Sequence, residues 1–500
     1  MKKKLALVLC AAMTASCLSA CSGGNMNQKA EETTAAQNQS TQAAQSTTAA
    51  PVVETTAAPA AEGAKDWFGE ADGKTPVHIK VWGGIQPEYG YADIINNFNE
   101  AYKDRGIEAE YVRYMNNTDG NTRVDLLLQG GGEDNIDVLI GYGGSTKLDQ
   151  RVKSKLLLDY SQYLNDAGFD IKESLGSTAA TEFAYEGGAV YGLPTTLSNS
   201  GWLMINEDMF KAAGIEIPYK GWTYSEFREA VEKLTTGEGQ SKVYGICWGW
   251  NFEHSHTSGF CGETMSPFDK FKDETVKETN FDAPEWTEGL TLIKDTMDNG
   301  WAVPLDEEIA EGADTASYFL TGKCAMFLTN SQIRLAMDTA TYGHTFTTGY
   351  VPHPVPDKYD GDVNQMLHAN CVKQSDVISI GATSAYPEAS AEFARWYITG
   401  GILPLIKGGR IPLYSGIPSE QVVETITQLA GNSVDGECIA NFMSVDKNQV
   451  LARVSSPASS ELGDLLWNTI QEILNDKVSV EEGMKALKEQ GDALAAQYAS

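Results

Sequence analysis

Gly188-Ala-Val-Tyr-Gly-Leu-Pro194, Met204-Ile-Asn-Glu-Asp-Met-Phe-Lys-Ala-Ala-Gly214 and Gly221-Trp-Thr-Tyr-Ser-Glu-Phe227 follow one another between residues 188 and 227. The last of these is a helix start. Thr223 and Glu226 stand at the spacing of a capping box, in which each side chain accepts from the other residue's backbone N–H. Phe227, Val231 and Leu234 continue it as one apolar stripe at helical spacing. The first ends in Gly192-Leu-Pro194-Thr-Thr, where glycine and proline interrupt the pattern. Proline removes a backbone donor and is disfavoured in a central strand.

Outward from this stretch, strand and helix patterns alternate. Val77-His-Ile-Lys-Val-Trp82 alternates apolar and polar and stops at Gly83-Gly84. Ile94, Phe98 and Tyr102 recur every four residues, which predicts a helix ending near Arg105-Gly106, and residues 108–114 read as a second strand. Asp137-Val-Leu-Ile-Gly141 reads as a short buried strand before a glycine-rich turn. Pro284 opens a helix with the stripe Leu290, Ile293 and Met297, closed by Gly300, and Ser479 to Glu482 caps a last helix bearing Met484, Leu487, Leu494 and Tyr498. Such alternation implies an α/β body, and its stripes need no role beyond core packing. Two more segments, Val351-Pro-His-Pro-Val-Pro356 and Gly408-Gly-Arg-Ile-Pro412, share the glycine–proline character. All three suit strands crossing between two compact bodies, and equally suit surface loops.

The N-terminus reads as an export signal. Lys2, Lys3 and Lys4 precede an apolar stretch, Leu5 to Leu18, too short to span a bilayer comfortably. Leu18-Ser-Ala-Cys21 resembles the lipobox of bacterial lipoproteins, in which the cysteine becomes the acylated N-terminus. This implies a signal peptide over 1–20, with Cys21 as the lipidation site, and more than one acyl chain would anchor it stably to the outer face of the cell membrane. Residues 22 to about 65 hold Ser, Thr, Ala, Gln, Asn and Pro without aromatic residues, so they are expected to stay disordered and act as a tether.

The formal net charge is −31, from 68 acidic against 37 basic residues. That balance excludes nucleic acid and anionic lipid surfaces as natural partners. Beyond the leader and Cys21, Cys247, Cys261, Cys324, Cys371 and Cys438 remain, an odd number, so at least one is unpaired within the chain. No C-x-x-C occurs, and His254 with His256 lacks further ligands at a metal-site spacing. Neither a metal nor a cofactor is expected.

The three opening motifs, in this order, resemble the central signature of family 1 extracellular solute-binding proteins. Further segments match in family order: Asn299-Gly-Trp-Ala-Val-Pro304, Phe319-Leu-Thr-Gly-Lys-Cys-Ala-Met326, Ser379-Ile-Gly-Ala-Thr-Ser384 with Ala389-Ser-Ala-Glu-Phe393, and Lys477-Val-Ser-Val-Glu-Glu482. The resemblance covers residues 76 to 498. Departures fall at Ile205 and Glu207, at Trp222-Thr223 where the family has the reverse order, and at Gly483.

The resemblance implies a two-lobe, periplasmic-binding-protein-like α/β fold with the ligand cleft between lobes joined by three crossings. Lobe one would be 76–193 and 352–407, lobe two 194–351 and 408–500. It further implies a non-catalytic protein that captures a small solute, usually a mono- or oligosaccharide, and delivers it to the transmembrane subunits of an ATP-binding-cassette importer. An extracellular carbohydrate-active enzyme and the ligand-presenting subunit of a membrane sensor are the alternatives. A sugar needs aromatic faces and planar polar side chains. Suitable residues at strand ends are Trp82, Gln86, Tyr89, Tyr142, Asn199, Trp248, Trp250, Phe252, Asn330 and Arg410. Trp250 and Arg410 are assigned to the pocket; the others are balanced between pocket, core and rim, since aromatic residues also dominate cores. Trp248 and Trp250 share a strand face, so both line the pocket or both pack inside.

Overall fold

The computed structural model describes residues 76–130, 135–142, 144–198, 202–249, 270–311, 316–328, 333–358, 373–443, 456 and 458–498. The strands, in chain order, are β1 Val77–Gly83, β2 Ile107–Arg113, β3 Val138–Gly141, β4 Leu193–Ser198, β5 Trp202–Asn206, β6 Tyr244–Cys247, β7 Cys324–Leu328, β8 Thr348–Pro352, β9 Lys373–Ile380 and β10 Ile411–Pro412. They form a six-stranded sheet of order β10-β4-β9-β3-β1-β2 and a four-stranded sheet of order β6-β7-β5-β8. Helices cover both, so the architecture is mixed α/β.

The alternation in β1 sets the first sheet. Ile79 and Val81 are fully buried on one face, whereas His78 and Lys80 point to the other. β1 pairs parallel with β2, and parallel neighbours need a crossover element. Helix Tyr91–Ala101 supplies it and buries Tyr91, Ile94 and Phe98 against that face. The α-helix stops at Ala101, short of the expected Arg105-Gly106; a 3₁₀ turn, Lys103–Arg105, carries the chain to Gly106, whose φ of 68° is left-handed. Only glycine adopts that region freely, so the turn rather than the apolar stripe ends the element.

In the second sheet β5 lies between β7 and β8, antiparallel to both, and β6 pairs parallel with β7. Leu203, Ile205, Ile246 and Leu328 form a core with helices Tyr224–Leu234, Pro284–Asp298, Ser459–Leu474 and Val480–Tyr498. The expected capping box is formed: Thr223 N–H donates to Glu226 at 2.7 Å, and Glu226 N–H donates to Thr223 Oγ1 at 3.3 Å. Losing such a cap costs about 1 kcal/mol. The opposite face, with Trp202, Met204, Phe327 and Tyr350, shares one buried cluster with Ile79, Val81, Val138 and Ile140 of the first sheet. The strands that carry the first and third glycine–proline segments, β4 and β10, both hydrogen-bond in the six-stranded sheet.

Candidate functional site

β1 and β3 run parallel, and β3 and β4 are both antiparallel to β9, so all three end at one edge of the first sheet. β9 and β10 begin there. The chain passes from Ser198 at this edge to Trp202, the first residue of β5, a span of at most about 14 Å. β6, β7 and β8 end on that same side of the second sheet. The carboxyl edges of the two sheets therefore face each other, and a crevice outside strand carboxyl ends is where open α/β sheets hold ligands.

The first sheet lines its edge with tyrosines. Tyr91 and Tyr111 stack with centroids 4.3 Å apart, and the Tyr91 and Tyr397 hydroxyls lie 3.4 Å apart. Tyr111 Oη donates to the Ile85 carbonyl at 2.6 Å. Tyr142 Oη accepts from the Gly84 N–H at 3.0 Å. Gly83 and Gly84 make this possible. A Cβ on Gly83 would lie 2.8 Å from Tyr111 Oη, and one on Gly84 would lie 2.9 Å from the Tyr142 ring. Burial pushes the Tyr91, Tyr111, Tyr114, Tyr142 and Tyr397 phenols well above their ordinary range, so all stay neutral hydrogen-bonding groups.

Arg410 stands among them. Arg410 Nε donates to Asp376 Oδ2 at 2.9 Å; the Arg410 side chain is 30% exposed and that of Asp376 4%. Burial alone would lower the guanidinium's pKa, but the Asp376 carboxylate outweighs it and raises it. The pair brings no net charge to the edge.

Of the expected site residues, Gln86, Tyr89, Tyr142 and Arg410 lie half-buried at this edge. Arg334, which follows β7, covers the Tyr89 ring at 4.7 Å from its centroid and donates to its hydroxyl at 3.1 Å. Two expectations are corrected. Trp82 is 2% exposed, enclosed by Val124 and Leu128 of helix Thr118–Gly130, with Arg123 5.7 Å above its ring. Trp248 is 1% exposed; its indole N–H donates to Thr296 Oγ1 at 3.0 Å and its backbone N–H to the buried Glu308 at 2.8 Å. Neither offers a free ring face: helix Thr118–Gly130 packs over Trp82 within β1, and helices Pro284–Asp298 and Leu305–Glu311 close over Trp248. Asn199, Trp250, Phe252, Asn330, Cys21 and the His254–His256 pair lie outside the described residues.

Tyr111 and Asp376 were not expected at the site; Tyr91, fully buried, stacks on Tyr111 and meets the equally buried Tyr397 at its hydroxyl, so these two support the edge without offering a face to a ligand. For Tyr111 a signal existed: it shares the inward face of β2 with Ile107 and Ala109, at the strand's carboxyl end. Cys247, Cys324 and Cys438 are buried thiols outside any disulfide, and among the described residues no group of three His, Cys, Asp or Glu could hold a metal. No helix among them is long and apolar enough to cross a membrane.

Among solved structures, a sugar transporter of Rhizobium etli in an open conformation superposes with a TM-score of 0.63 at 19% identity, covering 83% of this chain and 99% of that one. An ABC substrate-binding protein of Listeria monocytogenes in complex with cycloalternan gives 0.60 at 17%, covering 84% and 99%. A Mycobacterium tuberculosis protein in complex with glycerophosphocholine gives 0.61 at 15%, covering 85% and 99%. At such identities the likeness establishes the fold, that of two-lobe periplasmic binding proteins. No curated protein matches the sequence. The model of the bacterial extracellular solute-binding proteins matches residues 82–399. With that match over most of the chain, this protein belongs to the bacterial extracellular solute-binding protein family.

Proposed function

We propose that this protein captures a neutral saccharide between its two sheets and hands it to the membrane subunits of an ATP-binding-cassette importer, without chemical change. The two lobes carry the six-stranded and the four-stranded sheet, so β4 (Leu193–Ser198) and β10 (Ile411–Pro412) belong with the first rather than with 194–351 and 408–500, and a lipid on Cys21 with the tether behind it holds both lobes outside the cell. One observation carries the ligand class: the first-sheet edge carries neutral phenols beside Arg410, whose charge Asp376 balances, with Arg334 laid on the Tyr89 ring. Phenol hydroxyls, amides and a guanidinium can pair with sugar hydroxyls, while ring faces pack against the C–H face of a pyranose. An anionic ligand would have to compete with Asp376 for Arg410, which that carboxylate already compensates. That the Listeria protein is solved with cycloalternan and the Rhizobium protein is named a sugar transporter agrees with this reading.

A thermal-shift screen of the unlipidated chain from residue 22 tests it. The panel holds glucose, maltose, maltotriose, sucrose, raffinose and xylobiose, with glycerophosphocholine as the charged comparator. A bound ligand at a hundredfold excess over Kd stabilises the fold by about 2.7 kcal/mol. At least one saccharide is expected to raise the melting temperature. Stabilisation by glycerophosphocholine alone would replace the ligand class, and release of smaller sugars from the panel would replace binding by catalysis. Cys21→Ala is expected to move the protein from the membrane to the soluble fraction with binding intact; firm membrane retention would remove the lipid anchor from the proposal.

A further inference from the structure

Two of the three glycine–proline segments, the first and the third, meet at one residue, Asp376. It lies inside β9, the strand paired with β4, and is buried. Thr195 of the first crossing donates through Oγ1 to the Asp376 carbonyl at 2.6 Å. Arg410 of the third crossing donates through Nε to the Asp376 carboxylate at 2.9 Å. Leu413 N–H then donates to the Thr195 carbonyl at 3.0 Å, which closes the ring of contacts.

The backbone here is built for this purpose. β4 and β9 pair at Pro194↔Val377 and again at Thr196↔Ser375, and Thr195 and Asp376 stand between these pairs. Asp376 has φ 49°, in the left-handed region. Aspartate and asparagine enter that region more readily than other side chains, and inside a strand such a residue persists only where its surroundings hold it. Here a threonine hydroxyl holds its carbonyl and an arginine its carboxylate.

We propose that Asp376 is the pin that fastens the first and third of these segments to β9 and thereby the residue that positions Arg410 for ligand. This rests on the reading of the tyrosine edge as the ligand site. Asp376 lies behind the guanidinium and Arg410 in front of it, partly exposed toward the edge. An arginine already oriented by a carboxylate loses less rotamer freedom when it meets a ligand hydroxyl. Asp376 is thus a positioning residue, acting through Arg410.

The test compares Asp376→Asn, which tolerates the left-handed backbone but removes the charge, with Asp376→Ala, Arg410→Gln and the double variant Asp376→Ala/Arg410→Gln, all in the chain from residue 22. Without ligand, amide hydrogen exchange is followed at residues 195–198 and 411–413 and, as reference, in β1 and β2. The Arg410 Nε–H resonance, assigned by its loss in Arg410→Lys, reports the guanidinium directly. Asp376→Ala is expected to speed exchange tenfold or more at the crossings only and to abolish the Nε–H signal; Asp376→Asn should keep slow exchange but weaken that signal. Exchange that rises equally in both sheets, or a signal indifferent to Asp376, overturns the proposal. With maltotriose, or whichever panel saccharide binds, Asp376→Ala and Arg410→Gln should each lower affinity about tenfold and the double variant no further, whereas additive losses overturn positioning. If no panel saccharide binds the parent chain, the ligand reading fails, while exchange and resonance still decide the pin.

Discussion

The facing edges of the two sheets both place aromatic side chains at strand carboxyl ends, and use them in opposite ways. On the first, Tyr111 and Tyr142 stay partly exposed, each tied by its hydroxyl to the Ile85–Gly84 turn. On the second, Trp248 comes directly after β6 and is sealed in, tilted against Phe227 and bonded to Thr296. A strand delivers its last residues to the edge in both cases. The cover differs. Two glycines after β1 leave a turn thin enough for rings to lie against its backbone, whereas helices Pro284–Asp298 and Leu305–Glu311 close over the end of β6. Residue type at a strand end therefore says less about a binding site than whether a helix from elsewhere in the chain folds over that end.

The broadest way to sharpen that comparison is alkali. The wall phenols have pKa values raised in the fold, so above pH 10 the folded chain holds more protons than the unfolded one. Their stabilisation is complete below about pH 10, the ordinary tyrosine value, and declines as pH rises beyond it, by up to about 1.4 kcal/mol per pH unit for each phenol. Absorbance titration should show only part of the 21 tyrosines ionising before a cooperative unfolding step. Free ionisation of all of them in the folded protein would remove the buried phenol wall.

Trp248→Ala is expected to cost about 3–5 kcal/mol in urea unfolding, as for a buried core aromatic, with saccharide affinity nearly unchanged where the variant folds. A large loss of affinity with normal stability would put Trp248 back at the ligand. Gly84→Ala forces a Cβ against the Tyr142 ring and Asn116, so a loss of about 1–3 kcal/mol is expected, together with weaker saccharide binding because the ring must move. Unchanged stability and affinity would show that the turn does not depend on the close approach. The smallest effect is Tyr111→Phe. It removes the bond to the Ile85 carbonyl but keeps the stack on Tyr91, for about 1 kcal/mol by chemical denaturation. A loss as large as that of Trp248→Ala would erase the contrast between the two edges.

How much of this was legible depends on range along the chain. β1 is found almost residue for residue, because a period of two and a double glycine mark it locally. The Thr223–Glu226 cap is found because its partners are three residues apart. Tyr142 and Arg410 were reachable as polar or aromatic residues just beyond short strands. Tyr397 was not: it lies in a buried helical stretch, and only its hydroxyl near Tyr91, 306 positions away, brings it to the wall. Trp82 and Trp248 misled for the converse reason, since the helices that bury them belong to other parts of the chain.

By itself, then, the sequence determined the strands, the caps, the α/β class and, through the order of its motifs, the family. These rest on backbone hydrogen bonding and side-chain periods of a few residues, which any short window contains. Only the tertiary structure decided which aromatic residues form the wall, that Asp376 balances Arg410, and that the first and third glycine–proline segments meet at that one residue. Each of those depends on burial and on partners far away in the chain, and neither can be computed from local spacing when the covering helix and the covered strand are separate in sequence.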